Sequence, residues 1–214
     1  SEPYNNLHVA LDGAKRGDII YIKGINANGP YTVPQGVTLE AWGNSNALIQ
    51  APNDQPVLNV KGDNTIRNLI ISQGSVGINL LTNDAIEGLE GNGASAFLRV
   101  EGNIIRNVLT GIQIYASASA DLGGENRRVL FAEIHRNWIY DIPAAGIGFY
   151  HLGPASGSFN IASSIKDNVI KDAFSGITLS SEGSASNTGG YVKCNMTGYI
   201  SNNLIINGQN GISL

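Results

Sequence analysis

The sequence predicts an all-β solenoid, a stack of similar coils, on three observations. A two-part motif, Asn-x-Ile followed by Gly-Ile-x-apolar, recurs five times: "NLIISQGSVGINL" from Asn68, "NIIRNVLTGIQI" from Asn103, "NWIYDIPAAGIGF" from Asn137, "NVIKDAFSGITL" from Asn168 and "NLIINGQNGISL" from Asn203. The motif glycines Gly77, Gly111, Gly146, Gly176 and Gly211 stand 34, 35, 30 and 35 residues apart, an interval at which each unit buries its apolar face only against its neighbours. The composition agrees: of 214 residues 27 are glycine and only 14% are charged, as expected of a turn-rich β protein.

The whole chain, 1–214, reads as one domain in three parts. Residues 1–17 form an N-terminal cap: in "NNLHVALDGAKR" Leu7, Ala10, Leu11 and Ala14 fall at helical spacing behind an asparagine N-cap, and Gly17 supplies a stop. Residues 18–66 hold N-terminal coils, whose brief runs "DIIYIK", "YTV", "VTLEAW", "ALIQ" and "VLNV" are bounded by Gly, Pro and Asn and read as short strands. Residues 67–214 are the five repeats of about 30–35 residues. A stack of strands exposes an apolar end, which the initial helix is placed to cover. No cap follows "NGISL", so an apolar coil stands open at Leu214, and the expectation is a homo-oligomer or a longer parent chain through that end.

The period-two rule assigns directions within each repeat. The isoleucine after each motif glycine (Ile78, Ile112, Ile147, Ile177, Ile212) points inward, as do Leu80, Ile114, Phe149, Leu179 and Leu214 two residues on; Asn79, Gln113, Gly148, Thr178 and Ser213 point out between them. Ile70, Ile105, Ile139, Ile170 and Ile205 make a second inward column. The asparagine column sits at a turn, where a side-chain amide can bond the backbone and its equivalents in adjacent coils. This pattern resembles the right-handed parallel β-helix of the pectate-lyase-like superfamily, including its asparagine ladder. The opening "ALDGAKRGDIIYIKGINANGPYTVPQGVTLEAWGN" looks like the start of many such proteins, and the likeness covers nearly the whole chain. It implies a fold and no single activity, because the same coil carries lyases, hydrolases, epimerases, phage spikes and adhesins. No stretch resembles the Asp-Pro-His motif of alginate epimerases, the Asn-Thr-Asp, Asp-Asp and Gly-His-Gly series of polygalacturonases, or the Trp-x-Asp-His and Arg-Pro elements of classical pectate lyases.

Candidate chemistry gathers in two places. The extra length of each repeat falls after the Gly-Ile-x-apolar strand, in "TNDAIEGLEGNGASA", "ASASADLGGENRR", "HLGPASGSFN" and "SEGSASNTGG", loops expected to stack into one wall of a binding surface. Beyond it, a second strand points Val100, Ile134, Ile165 and Ile200 inward, so Arg99 and Glu101, Glu133 and His135, Ser164 and Lys166, and Tyr199 and Ser201 form an outward grid; one coil earlier Asn59 and Lys61 are expected to flank inward Val60. A base such as Lys166 or His135, with Arg99 holding a uronate carboxylate, would suit β-elimination, whereas Glu101 with Glu133 would suit hydrolysis. The same grid also reads as an alternating charge ladder that stabilises neighbouring strands. Tyr115 and Tyr150, with His151 beside the second, offer a stacked platform for a sugar face, and Tyr199 adds a further outward ring. The row Asn107, Asp141, Asp172 and Asn207 resembles an acid pair or a calcium site, yet recurs at a turn and is explained by the backbone.

The net charge of −4 without a basic stripe argues against nucleic acid, and no apolar run approaches membrane-helix length, so no membrane insertion is expected. The lone Cys194 cannot form an internal disulfide and reads as a small core residue. No cofactor is evident; Asp84, Glu87 and Glu90 around "GLEGNG" could hold Ca2+, although no spaced ligand loop accompanies them, and no metal site is assigned. The expectation is an extracellular or cell-surface protein that binds a polysaccharide or cell-surface glycan, uronate-type favoured, with lyase-like β-elimination the preferred chemistry if it cleaves. The alternatives are a non-catalytic glycan-binding or adhesin module and a structural stalk or spike segment.

Overall fold

The structure, a computed structural model, describes residues 6–43, 46–81, 95–117, 127–152, 157–182 and 192–213. Its single helix, α1 (Leu7–Asp12), begins at Asn6, whose side-chain oxygen accepts the His8 backbone N–H at 2.9 Å, and closes at Gly13. It is shorter than the helix expected over 5–16, yet buries the same face: Leu7, Ala10 and Leu11 are inside, and Ala14 packs partly buried against the core just beyond the helix. The helix lies against the first coil.

The N-terminal coils hold β1 (Ile19–Ile22), β2 (Ile25–Asn26), β3 (Tyr31–Val33), β4 (Thr38–Ala41), β5 (Leu48–Gln50), β6 (Leu58–Val60) and β7 (Asn64–Arg67). The repeats then alternate a long bent strand with a straighter one: β8 (Ile70–Leu81), β9 (Ser95–Glu101), β10 (Ile104–Ser117), β11 (Arg127–His135), β12 (Trp138–Leu152), β13 (Gly157–Lys166), β14 (Val169–Glu182) and β15 (Val192–Ser201), closing with β16 (Leu204–Ile206) and β17 (Asn210–Ser213). All pairings are parallel. One sheet runs β1-β4-β7-β9-β11-β13-β15, and the other runs β16-β14-β12-β10-β8-β5-β2, with β17 on β14 and β6 bridging β3 and β8. Successive coils thus add one strand to each sheet, which is a solenoid-like all-β architecture.

The core is a set of columns inside this stack. Ile78, Ile112, Ile147 and Ile177, with Leu80, Ile114 and Phe149, are fully buried, and Val100, Ile134 and Ile165 face them from the other sheet. Each such side chain contributes about 1.5–3 kcal/mol by leaving water. Leu179, Ile200 and Ile205 are partly buried, and Leu204 and Ile212 are exposed in the last described coil.

Two backbone devices bend every coil. Between the sheets, Asn68, Gly102, Arg136, Asp167 and Asn202 take left-handed φ of 59°, 65°, 56°, 58° and 55°. Within the long strands Gln73, Asn107, Asp141 and Asp172, and between β16 and β17 Asn207, do the same at 58°, 52°, 57°, 53° and 57°, so the Asn/Asp row is a backbone corner, as the sequence suggested.

The asparagine ladder is real but has four rungs, not five. Asn137 Oδ1 accepts from the Asn103 N–H at 3.0 Å and the Asn103 Nδ2 at 3.0 Å, while Asn137 Nδ2 donates to Val100 O at 2.9 Å. Asn168 and Asn203 repeat the pattern. In the first repeat the rung belongs to Leu69, whose N–H donates to Asn103 Oδ1 at 3.0 Å; Asn68 is the left-handed residue before it. Ile71, not Ile70, therefore joins Ile105 in the inward column, as the pairing Ile105↔Ile71 shows. The cause is spacing: Asn68 lies nine residues before its glycine, whereas Asn103, Asn168 and Asn203 lie eight before theirs. Asn137 also lies nine before Gly146, but there the extra residue is absorbed by a bulge between Ile142 and Ala145, around Pro143, which has no N–H for the ladder.

The recurring glycine is explained by close approach. A Cβ on Gly77 would stand 2.5 Å from the carbonyl oxygen of Gly111 in the next coil and 2.7 Å from Ile105 Cγ2, and Gly111, Gly146 and Gly176 meet the same pair of neighbours one coil on. A second correction concerns the coil before β9. The strand that pairs with it is β7, with Ile66 inward opposite Val100, so Thr65 and Arg67 precede Arg99 and Glu101; Asn59 and its strand belong to the other sheet, and Lys61 follows them there. Four residues of β7, hidden between turns, escaped the sequence pattern.

Asn137→Ala leaves buried backbone and amide donors without acceptors and is expected to lower unfolding free energy by about 3 kcal/mol, whereas Asn68→Gly should stay within about 0.5 kcal/mol, both read from urea denaturation. Gly111→Ala should cost at least about 2 kcal/mol in the same assay, because the obstructing atom is backbone.

Candidate functional site

The outward face of the seven-stranded sheet carries three parallel rows, each crossing β9, β11, β13 and β15. They are Phe97, Phe131, Ala162 and Thr197; Arg99, Glu133, Ser164 and Tyr199; and Glu101, His135, Lys166 and Ser201. Neighbours within a row are about 4.8 Å apart in backbone position, and period-two alternation holds all of them on one side. The structure thus brings together every member of the predicted grid from Arg99 to Ser201.

Their partners are specific. Arg99 grips one oxygen of Glu133 through Nε at 2.8 Å and Nη2 at 2.6 Å, with its guanidinium 5.4 Å from the Phe97 ring centroid. Glu101 is bound by Arg136, a residue at the left-handed turn. One coil earlier Arg67 meets Glu40 at 2.6 Å. The two carboxylates proposed as an acid pair are therefore each neutralised by an arginine, and Arg99 spends two of its five N–H donors on Glu133. Among the described residues Lys166 faces no carboxylate at ion-pair distance.

His135 Nε2 lies 3.0 Å from Ser164 Oγ. Its pKa is lowered, first by burial and then by the Lys166 ammonium, with a smaller push from Arg99; Glu133 and the contact with Ser164 act the other way. The imidazole is thus neutral at neutral pH, the state that accepts a proton.

A depression of about 420 Å³ opens on the same face. Its floor is made of small residues, Ala162, Ser164 and Gly198, and its sides are the rings of Phe97, Phe131 and Tyr199, with Glu133 at one margin. Gly198 lies between outward Thr197 and Tyr199, and a Cβ there would press on the hydroxyl of Ser163 and lie 3.0 Å from its carbonyl oxygen. Phe131 and Tyr199 are 45% and 83% exposed, and they flank the same depression. Sequence reasoning missed Phe97 and Phe131, although extending the alternation two residues back from Arg99 and Glu133 would have reached them.

Tyr115 and Tyr150 are paired in register on the ten-stranded sheet and stacked, with centroids 5.2 Å apart and planes at 29°. Both are half-buried, and the Tyr150 ring folds back over Gly148, where a Cβ would strike it. Burial first, then Tyr115, raises the Tyr150 pKa, keeping the phenol neutral. The pair lies on a different sheet from the grid, so one small ligand does not span both. His151 continues this strand, opposite Ser181, and its side chain lies outside those described, as does that of Cys194.

The long strands end at matched positions, Ser117 opposite Leu152 and Leu152 opposite Glu182, so the loops leave one edge of the stack. The loop interiors, with Asp84, Glu87 and Glu90, lie outside the described residues. Among the described residues no group of three His, Cys, Asp or Glu side chains could hold a metal ion, and no helix is long and apolar enough to cross a membrane. Asp172 is an exposed corner residue whose pKa is lowered mainly by the Asn207 amide, 2.9 Å away, and then by Lys171. Compared with known proteins, the chain matches no family model, no curated protein and no solved structure.

A depressed imidazole pKa makes folding favour neutral His135, a contribution present above the ordinary value of 6.5 and lost as pH falls from there through the lower folded value. His135→Gln should therefore flatten the fall in urea midpoint between about pH 7.5 and 5 relative to the parent chain.

Proposed function

We propose that this chain is a right-handed parallel β-helix of the pectate-lyase-like kind that binds an extended polysaccharide, uronate-type favoured, across the outward face of its seven-stranded sheet, at the cell surface or outside the cell. The handedness follows from the crossover rule, since connections between parallel strands of one sheet are right-handed in about 98% of cases. The asparagine rungs and the glycine column are consistent with that family's coil.

The observation that carries the binding reading is the depression with exposed Phe131 and Tyr199 beside a floor of Ala162, Ser164 and Gly198. Aromatic faces take the apolar face of a pyranose, and hydroxyl and charged groups at the margin take its substituents. The site is open and shallow and lies on rigid strands, which suits a polymer lying across several coils rather than an enclosed small molecule. Binding is favoured over cleavage, because Arg99–Glu133 and Glu101–Arg136 occupy the acids and the arginine that chemistry would use.

A second reading, β-elimination with His135 as base, is favoured by one feature, the neutral imidazole beside Ser164. It would appear as unsaturated product absorbing in the ultraviolet, lost in His135→Gln.

Phe131→Ala combined with Tyr199→Ala removes both exposed rings without touching the core. Affinity for the bound polysaccharide is expected to fall by about fivefold to 150-fold, since each stacked ring is worth roughly 0.5–1.5 kcal/mol, with the thermal midpoint retained. Unchanged retention in affinity electrophoresis would remove the depression as the binding site.

A further inference from the structure

Among the described side chains of the grid, the charged groups are paired except at one corner. Glu133 is held by Arg99, Glu101 by Arg136 and Glu40 by Arg67, whereas Lys166 faces no carboxylate at ion-pair distance among the described residues. Lys166 stands beside His135 in register, and Ser164 lies two residues back on the same face of β13, in the floor of the depression. His135 Nε2 and Ser164 Oγ are 3.0 Å apart.

We infer that Lys166, His135 and Ser164 form an anion subsite that takes the carboxylate or sulfate ester of one sugar residue while its ring lies in the adjoining depression. The inference rests on the polysaccharide reading above and assigns the residues that give it charge selectivity. The three groups supply complementary donors: an ammonium with three, a hydroxyl with one, and an imidazole that becomes a donor at both nitrogens once protonated. A lysine suits this task because it acts as a point charge for a single anionic oxygen, without the fixed fork of arginine.

The same geometry couples binding to a proton. In the free protein the groups facing His135 are Ser164 and Lys166 on β13, Glu101 and Arg99 on β9, Glu133 on its own strand and Arg136 just beyond it. The two arginines are matched by the two glutamates, so Lys166 is the unmatched charge that opposes protonation, added to the effect of burial. An anion seated between Lys166 and His135 cancels that opposition and raises the imidazole pKa. Affinity then increases as pH falls through the imidazole range, by about tenfold for each unit of pKa difference between bound and free states, and levels off below the free value. The ligand carboxylate stays ionised down to about pH 4, so the change reports His135.

The test is calorimetric binding of the full chain to oligogalacturonate, to its methyl ester and to a sulfated galactan oligosaccharide, at about pH 5, 6, 7 and 8. At least one of the two anionic ligands should bind about tenfold tighter than the ester at the lowest pH, with a preference that shrinks toward the highest; which of them does so identifies carboxylate or sulfate as the occupant. Lys166→Gln should bring anion and ester within about twofold, and His135→Gln should remove the pH dependence while keeping part of the preference. Equal binding of ester and both anions, or a Lys166→Gln chain that keeps the preference, overturns the subsite and leaves the polysaccharide reading standing. Failure of all three ligands to bind overturns both.

Discussion

Hydrogen bonding between successive coils is the interaction on which everything else here depends. Each strand pairs in parallel with its counterpart about one repeat earlier, and this repeats in register in both sheets. The spacing then dictates the side chains. Between Gly77, Gly111, Gly146 and Gly176 the backbones come so close that a single methyl group would collide with a carbonyl of the next coil. At the turn between sheets, a strand N–H is turned out of the ladder and needs an acceptor, which the next coil's asparagine supplies. The isoleucine columns fill the volume that remains, in the packed manner of a protein interior.

The functional face inherits its order from the same stack. Outward residues fall into straight rows because inward ones must, so charges on neighbouring coils meet whether or not they serve a ligand. Most of them meet an opposite charge, and exposed pairs of this kind add little stability, about 0–1 kcal/mol each. What distinguishes the region around β13 is the break in that rule: small residues where neighbouring strands carry rings, and a lysine beside a neutral histidine. A lysine that no described carboxylate pairs, set beside a depression flanked by two exposed rings, has the features of a binding site.

Several errors of sequence reasoning have one origin. Asn68 matches its siblings in type and in the pattern that follows, yet one additional residue before Gly77 moves it off the ladder and puts Ile71 inside in place of Ile70. The same additional residue in the third repeat is hidden in a bulge and leaves Asn137 on its rung. The pattern alone puts Lys61 beside Glu101, because β7, only four residues long, carries no recognisable motif; Arg67 holds that place and is tied to Glu40. Each case is a matter of register, and a motif contains no information about which coil absorbs an insertion.

From the residues alone came the all-β solenoid, the capping helix, most of the inward columns, the turns at the Asn/Asp row, and the grid from Arg99 to Ser201. These follow from local rules, the period of two along a strand and the recurrence of the unit, which act over a few residues and survive small shifts. Only the tertiary structure decided which asparagines bond which backbone, that Glu133 and Glu101 are already claimed by arginines, that Phe97 and Phe131 join Tyr199 around a depression, and that no described carboxylate pairs with Lys166. Those facts depend on distances between side chains on different coils, set by register, bulges and rotamers together, and no single repeat encodes them.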